Sequence, residues 1–188
     1  MTRIIGGTVG GRRLRTPAGD ATRPTSDRVR EALFSTLESR LGTLAGTRFL
    51  DVYAGSGAVG LEASSRGASG VVLVELTASA AALIRSNAAT LGLSGVQVIH
   101  SAAEKLAGRI PAGEPFDVAF FDPPYDLSVD VVGQVITALE QADWLAPDAL
   151  LVVERARRGE AWEWPARFEG VREKKYGDTM LWYGHASA

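Results

Sequence analysis

The chain has 188 residues, 46% of them hydrophobic and 22% charged, with a formal net charge of −2. This fits one globular domain large enough to bury a full core, and the lack of any cysteine excludes disulfides and thiolate metal sites. The first seven residues lack the apolar stretch of a signal peptide, and no apolar run approaches the ~20 residues of a membrane span, so a cytoplasmic protein is expected.

Basic charge is concentrated at the start. Residues 1 to 40 hold eight arginines against four acids, a balance of +4, whereas the rest holds 12 basic and 18 acidic residues, a balance of −6. A basic end on an acidic body suits a local contact with phosphates. Segments 3–7 and 10–14 are short extended candidates around a glycine-rich turn, which predicts a β-hairpin arm over about residues 1–20. From residue 21 onward a single domain is expected. Ser26 or Asp27 is the candidate N-cap of a helix over about 26–42, where Val29, Leu33, Leu37 and Leu41 recur at fourfold spacing beside Phe34.

From Thr47 strands and helices alternate. Strands are predicted at 48–53, 71–75, 96–99, 116–121 and 149–154, with helices at 59–66, 77–91 and 129–142 and a short one near 103–107. Unbroken aliphatic runs, rather than alternation, indicate strands covered on both faces. The expected fold class is therefore α/β, a doubly wound, mostly parallel sheet. The tail, 171–176 and 179–183 around Gly177-Asp178, reads as a closing antiparallel hairpin. His100 and His185 read as strand-end structural residues, and nothing indicates a metal site.

Residues 55 to 60, Gly55-Ser56-Gly57-Ala58-Val59-Gly60, match the G-x-G-x-x-G pattern after the first long strand, and the next strand ends in Glu75. By its letters this is a dinucleotide fingerprint. Charge argues otherwise. A dinucleotide brings its pyrophosphate to this loop, and Asp51, four residues before the first glycine, would repel it. S-adenosylmethionine brings an ammonium and a sulfonium instead, which a carboxylate stabilises. Glu75 can accept ribose hydroxyls in either case. A nicotinamide-dependent oxidoreductase is the distant alternative.

Asp122-Pro123-Pro124-Tyr125 directly follows the apolar run 116–121. The prolines end the ladder and fix φ near −65°, which leaves a carboxylate, a carbonyl oxygen and a flat ring at one sheet edge. Two acceptors and a stacking surface suit a planar amine. The plain alternative is a strand ending in a proline turn, with Tyr125 capping the core.

Together, segments 3–7, 23–34, 51–62, 122–125 and 176–179 resemble the RsmD family, guanine-N2 methyltransferases of bacterial 16S ribosomal RNA. The similarity runs essentially end to end; the Arg23-Pro24-Thr25 segment joined to the Arg3-to-Gly7 start is its specific part. The resemblance implies a seven-stranded class I methyltransferase fold, S-adenosylmethionine as donor and an RNA guanine as acceptor. It implies a cofactor site around Thr25, Asp27 and Arg28, then Asp51, Tyr53, Ala54, Gly55, Ser56 and Gly57, with Glu75 and Leu76 at the ribose and Ser101 and Ala102 near the adenine. Asp122, Pro123, Pro124 and Tyr125 would hold the guanine and carry catalysis. Arg3, Arg12, Arg13, Arg15, Arg23 and Arg30 would grip the RNA. Two positions depart from the family pattern: Leu76-Thr77 follows Glu75 where an aspartate is common, and Ala102 stands where an Asp or Asn often meets adenine.

The expected partner is 16S RNA, within the small subunit or an assembly intermediate, and the expected state is a monomer. Arg155, Arg157 and Arg158 either extend the RNA surface or form a solvated face, and Trp162 and Trp164 read as packing residues. A DNA adenine or cytosine amine methylase is the nearer alternative, since it would use nearly the same tetrapeptide.

Overall fold

The computed structural model describes residues 2–16, 26–111 and 113–186. Thr25 and Arg23 lie outside these residues. Two short strands, β1 (Thr2–Arg3) and β2 (Arg13–Leu14), pair antiparallel. Helix α1 (Asp27–Leu41) begins at Ser26, whose hydroxyl accepts the Val29 N–H at 3.3 Å. Then follow β3 (Arg48–Asp51), α2 (Ala58–Ser65), β4 (Gly70–Glu75), α3 (Ala78–Leu91) and β5 (Val96–His100). A 3-10 turn (Ala103–Lys105) leads to β6 (Phe116–Phe121), α4 (Val129–Gln141), β7 (Leu145–Ala156), β8 (Phe168–Tyr176) and β9 (Thr179–Ala186).

The main sheet has seven strands in the order β5-β4-β3-β6-β7-β9-β8. It is parallel from β5 through β7, and β9 inserts antiparallel between β7 and β8. One apolar cluster lies beneath α1, α2 and α3 and includes Leu33, Phe34, Phe49, Leu73 and Ile84. The other lies beneath α4 and includes Phe116, Phe121, Ile136 and Trp144. The sheet is thus covered on both faces, as its apolar runs demand. The order in which strands are added reverses between β3 and β6, and a crevice opens at their carboxyl ends, the usual binding place in such sheets. Among the described residues no helix is long and apolar enough to cross a membrane.

Several boundaries differ from expectation; β8 and β9, for example, each run three residues beyond the expected 171–176 and 179–183. β3 stops at Asp51 because Tyr53 turns to φ 107°, and the Tyr53 and Ala54 amides both reach the Val74 carbonyl. β7 runs longer at both ends, since Leu145 pairs with Phe116 and Ala156 with Thr179. The first hairpin is only two residue pairs deep, because the Ile5 and Gly6 amides leave the ladder and bond Glu62 instead.

That last contact changes the character of the N-terminal segment. Glu62 is fully buried on α2, and its carboxylate accepts Ile5 N–H at 2.7 Å, Gly6 N–H at 2.8 Å and Arg66 Nε at 2.8 Å. Arg66 also bonds Glu38 at 3.1 Å and lies over the Phe34 ring. Gly7 runs so close to α2 that a Cβ there would sit 1.9 Å from the Ser65 carbonyl oxygen. Farther on, Asn87 of α3 accepts the Arg15 N–H and donates to the Arg15 carbonyl. Ile4 and Leu14 join the same apolar cluster as α1. Residues 2–16 are docked along α2 and α3, not held apart from the domain. Every residue of α2 is buried as a result.

Candidate active site at the carboxyl edge of the sheet

A cleft of about 790 Å³ opens at the carboxyl ends of β3, β4, β6 and β7. Its first wall is the loop between β3 and α2, which contributes Asp51, Tyr53, Ala54, Gly55 and Ser56. Asp51 is 2% exposed, and its Oδ2 accepts the Gly60 N–H at 2.9 Å in the first turn of α2. Gly60 allows that approach: a Cβ there would meet Leu73 at 2.6 Å. Burial, with the nearby charges of Asp122 and Glu75, pushes the Asp51 carboxyl up to about 7 against the opposing bond from Gly60. Gly57 itself does not line the cleft; it precedes α2 with φ 78° and packs towards Ile84.

Glu75 ends β4 and clamps the loop. Its Oε2 accepts the Gly55 N–H at 2.8 Å and its Oε1 the Thr77 N–H at 2.7 Å. Each oxygen keeps a second lone pair for a hydroxyl in the cleft. Leu76 lies 68% exposed at the rim. Ser101 and Ala102 line the cleft after β5, where the Ser101 hydroxyl bonds the Ala102 carbonyl at 3.1 Å.

The opposite wall is Asp122, Pro123, Pro124 and Tyr125, directly after β6. Pro123 is buried, whereas the Tyr125 ring is 70% exposed at the mouth. Behind them the turn is tied down: Leu127 N–H bonds the Pro124 carbonyl at 3.0 Å, and Arg155 Nη2 bonds the Leu127 carbonyl at 2.8 Å. Arg155 therefore holds the tetrapeptide's loop from β7. The turn 177–179 between β8 and β9 closes the same mouth, opposite Ser26 and Val29 of α1.

Several expected site residues lie elsewhere. Asp27 and Arg28 do not line the cleft; Asp27 instead pairs with Arg3 at 3.3 Å and Arg30 at 2.8 Å, and Arg28 is exposed on α1. Arg30 is a correction. It is fully buried, donates to the Arg3 carbonyl at 2.6 Å and to Asp27, and cannot reach a phosphate. Its spacing explains this, because Arg30 stands three, four and seven residues before Leu33, Phe34 and Leu37 on the buried face of α1. Arg3, Arg12, Arg13 and Arg15 remain at the surface, with Arg12 also bonded to the Thr90 carbonyl at 3.0 Å. Trp162 is 4% exposed and packs edge-on against Trp164 at 5.4 Å.

Sequence patterns alone miss Glu154 and Glu104, which also line the cleft. Glu154 is 8% exposed on β7. Its only signal in the chain is an acid ending the apolar run Leu150 to Val153. With Asp51, Glu75 and Asp122 it makes the cleft strongly anionic, which suits a cationic ligand.

A family model described as "Conserved hypothetical protein 95" matches residues 2–185. The chain is 38% identical over 177 residues to ribosomal RNA small subunit methyltransferase D of Escherichia coli K12, covering 94% of this chain and 86% of that protein. It is 38% identical over 155 residues to the protein of the same name from Haemophilus influenzae, covering 81% of this chain and 77% of that protein. A solved structure, that of a hypothetical protein from Thermus thermophilus, superposes with a TM-score of 0.80 at 32% identity across 100% of both chains. Matched by that model over nearly its whole length, the chain belongs to the RsmD family of methyltransferases.

Proposed function

We propose that this protein transfers a methyl group from S-adenosylmethionine to the exocyclic N2 amine of a guanine in 16S ribosomal RNA of the small ribosomal subunit. One observation carries the reading: the Asp122-to-Tyr125 tetrapeptide faces the glycine loop across a single cleft. The names of the relatives supply the RNA. The residues fit the donor, since Asp51 offers a buried carboxylate to an ammonium, Glu75 keeps lone pairs for ribose hydroxyls, and the glycine loop leaves open backbone.

When bound, S-adenosylmethionine supplies an electrophilic methyl group on a sulfonium. The protein's part is to prepare the acceptor. The N2 lone pair of guanine is delocalised into its ring, so the amine is a weak nucleophile. The Asp122 carboxylate and the Pro123 carbonyl accept its two hydrogens, draw the nitrogen towards tetrahedral geometry and aim its lone pair at the methyl. Such alignment lowers the barrier by several kcal/mol, up to ~7–11 in the best cases. Asp122 or solvent then takes the released proton. Tyr125, exposed at the mouth, stacks on a base that has left its helix. The surface arginines Arg3, Arg12, Arg13 and Arg15 hold RNA phosphates, which position without reading sequence.

The test is transfer of labelled methyl to undermethylated small ribosomal subunits, with protein-free 16S RNA and genomic DNA in parallel, followed by nucleoside analysis. N2-methylguanosine in the ribosomal RNA is the expected product. Label confined to adenine or cytosine of DNA would overturn the reading in favour of a DNA amine methylase.

A further inference from the structure

Four of the acids that line the cleft, Asp51, Glu75, Asp122 and Glu154, are not scattered. Phe49, Leu73, Phe120 and Val152 all face the cluster beneath α1, α2 and α3, and side chains alternate along a strand. Asp51, Glu75, Asp122 and Glu154 each stand two residues after one of these, so all four point to that same face. Their strands are neighbours in the order β4-β3-β6-β7. Register sets their heights: Asp51 stands opposite Leu73 and Phe120, two residues below Glu75 and Asp122, whereas Phe121 opposite Val153 puts Asp122 and Glu154 level on strands about 4.8 Å apart. Asp51 and Glu75 stand at the glycine loop, and Asp122 begins the acceptor wall. Glu154 is one strand farther from the donor.

We infer that Glu154 reads the acceptor base, accepting the N1–H of guanine while Asp122 takes its N2 amine. This rests on the proposed reaction. Guanine presents N1–H and N2–H₂ side by side, a run of donors that two adjacent carboxylates match. Adenine presents an acceptor at N1 beside its amine, so Glu154 sets lone pair against lone pair. The same Asp-Pro-Pro-Tyr segment serves any planar amine; Glu154 supplies the discrimination it lacks. Sites built to hydrogen-bond an N–H reject analogues without it by large factors. Burial to 8% exposure, beside the β9 partner Leu181, removes the water that would blunt the choice.

The test uses 2-aminopurine, which keeps the N2 amine but carries an acceptor at N1. Small subunits are reconstituted with 16S RNA bearing guanosine or 2-aminopurine at the position mapped as methylated. The intact wild-type protein should favour guanosine by more than about a hundredfold. Glu154→Gln can donate an amide hydrogen to that acceptor, so its guanosine preference should shrink by at least about tenfold or invert. Titration with S-adenosylmethionine should match wild type and show that the variant is folded. Absence of N2-methylguanosine from wild type on guanosine subunits would overturn the proposed reaction, and this inference with it. An unchanged preference in Glu154→Gln, with that product formed, would overturn the role of Glu154 alone.

Discussion

The two walls of the cleft are stiffened in different ways. On the glycine-loop side, Asp51 and Glu75 accept Gly60, Gly55 and Thr77 N–H groups, so the chain's own amides hold the carboxylates in place. On the other side, two prolines fix the backbone of the tetrapeptide, and Arg155 anchors its loop from behind. The first wall couples ligand binding to the fold of α2. In the proposed reaction, the second presents its groups to the acceptor base. Substitutions on the two sides should therefore separate binding and stability from turnover.

The largest expected effect tests that separation directly. Asp122→Ala should lower kcat by about 10²–10⁴-fold while donor affinity, read by calorimetric titration, stays near wild type. Equal loss of both would break the division of labour. Next comes Glu62→Ala, which leaves the buried face of α2 without the carboxylate that binds Ile5, Gly6 and Arg66. Chemical denaturation should register a loss of about 3–5 kcal/mol, and amides of residues 4–8 should lose exchange protection first. Retained protection there would mean that the N-terminal segment docks by apolar contact alone.

Tyr125→Ala should weaken RNA use by about 1–3 kcal/mol, seen in KM for ribosomal subunits, with Tyr125→Phe almost neutral. A large effect of the phenylalanine variant would replace stacking by a hydroxyl contact. The smallest change sharpens the account of Asp51. Its carboxyl titrates at about 7 in the folded protein against 3.8 ordinarily, so ionising it costs stability. That contribution is complete below about pH 4 and is lost as pH rises towards and through 7. Asp51→Asn should remove this fall, leaving stability at about pH 8 no lower than wild type, while donor affinity drops by about tenfold or more. A variant less stable than wild type under those alkaline conditions would show that the carboxylate supports α2 more than burial opposes it.

Much of the fold was legible because it is written in local pattern. The fourfold apolar spacing of α1, the continuous runs of β3, β4 and β6, and the Gly177-Asp178 turn each depend on residues close in sequence. The same holds for the two motifs: Gly55 to Gly60 and Asp122 to Tyr125 are contiguous, and their placement at strand ends follows from the runs before them. Arg30 was also within reach, since its register with Leu33 and Leu37 lies on the apolar face of α1.

By itself, then, the sequence determined the order of helices and strands, the glycine loop with its flanking acids, and the acid-proline-proline-aromatic edge, because helical and strand periodicities are properties of neighbouring residues. Only the tertiary structure decided which strands stand side by side. Glu154 is 32 residues from Asp122, yet β7 pairs with β6 and puts the two acids on one face. Glu62 is 57 residues from Ile5, yet its carboxylate is where that amide bonds. Sheet order and docking are long-range choices, set by which buried faces and which unpaired amides find partners once the chain has collapsed.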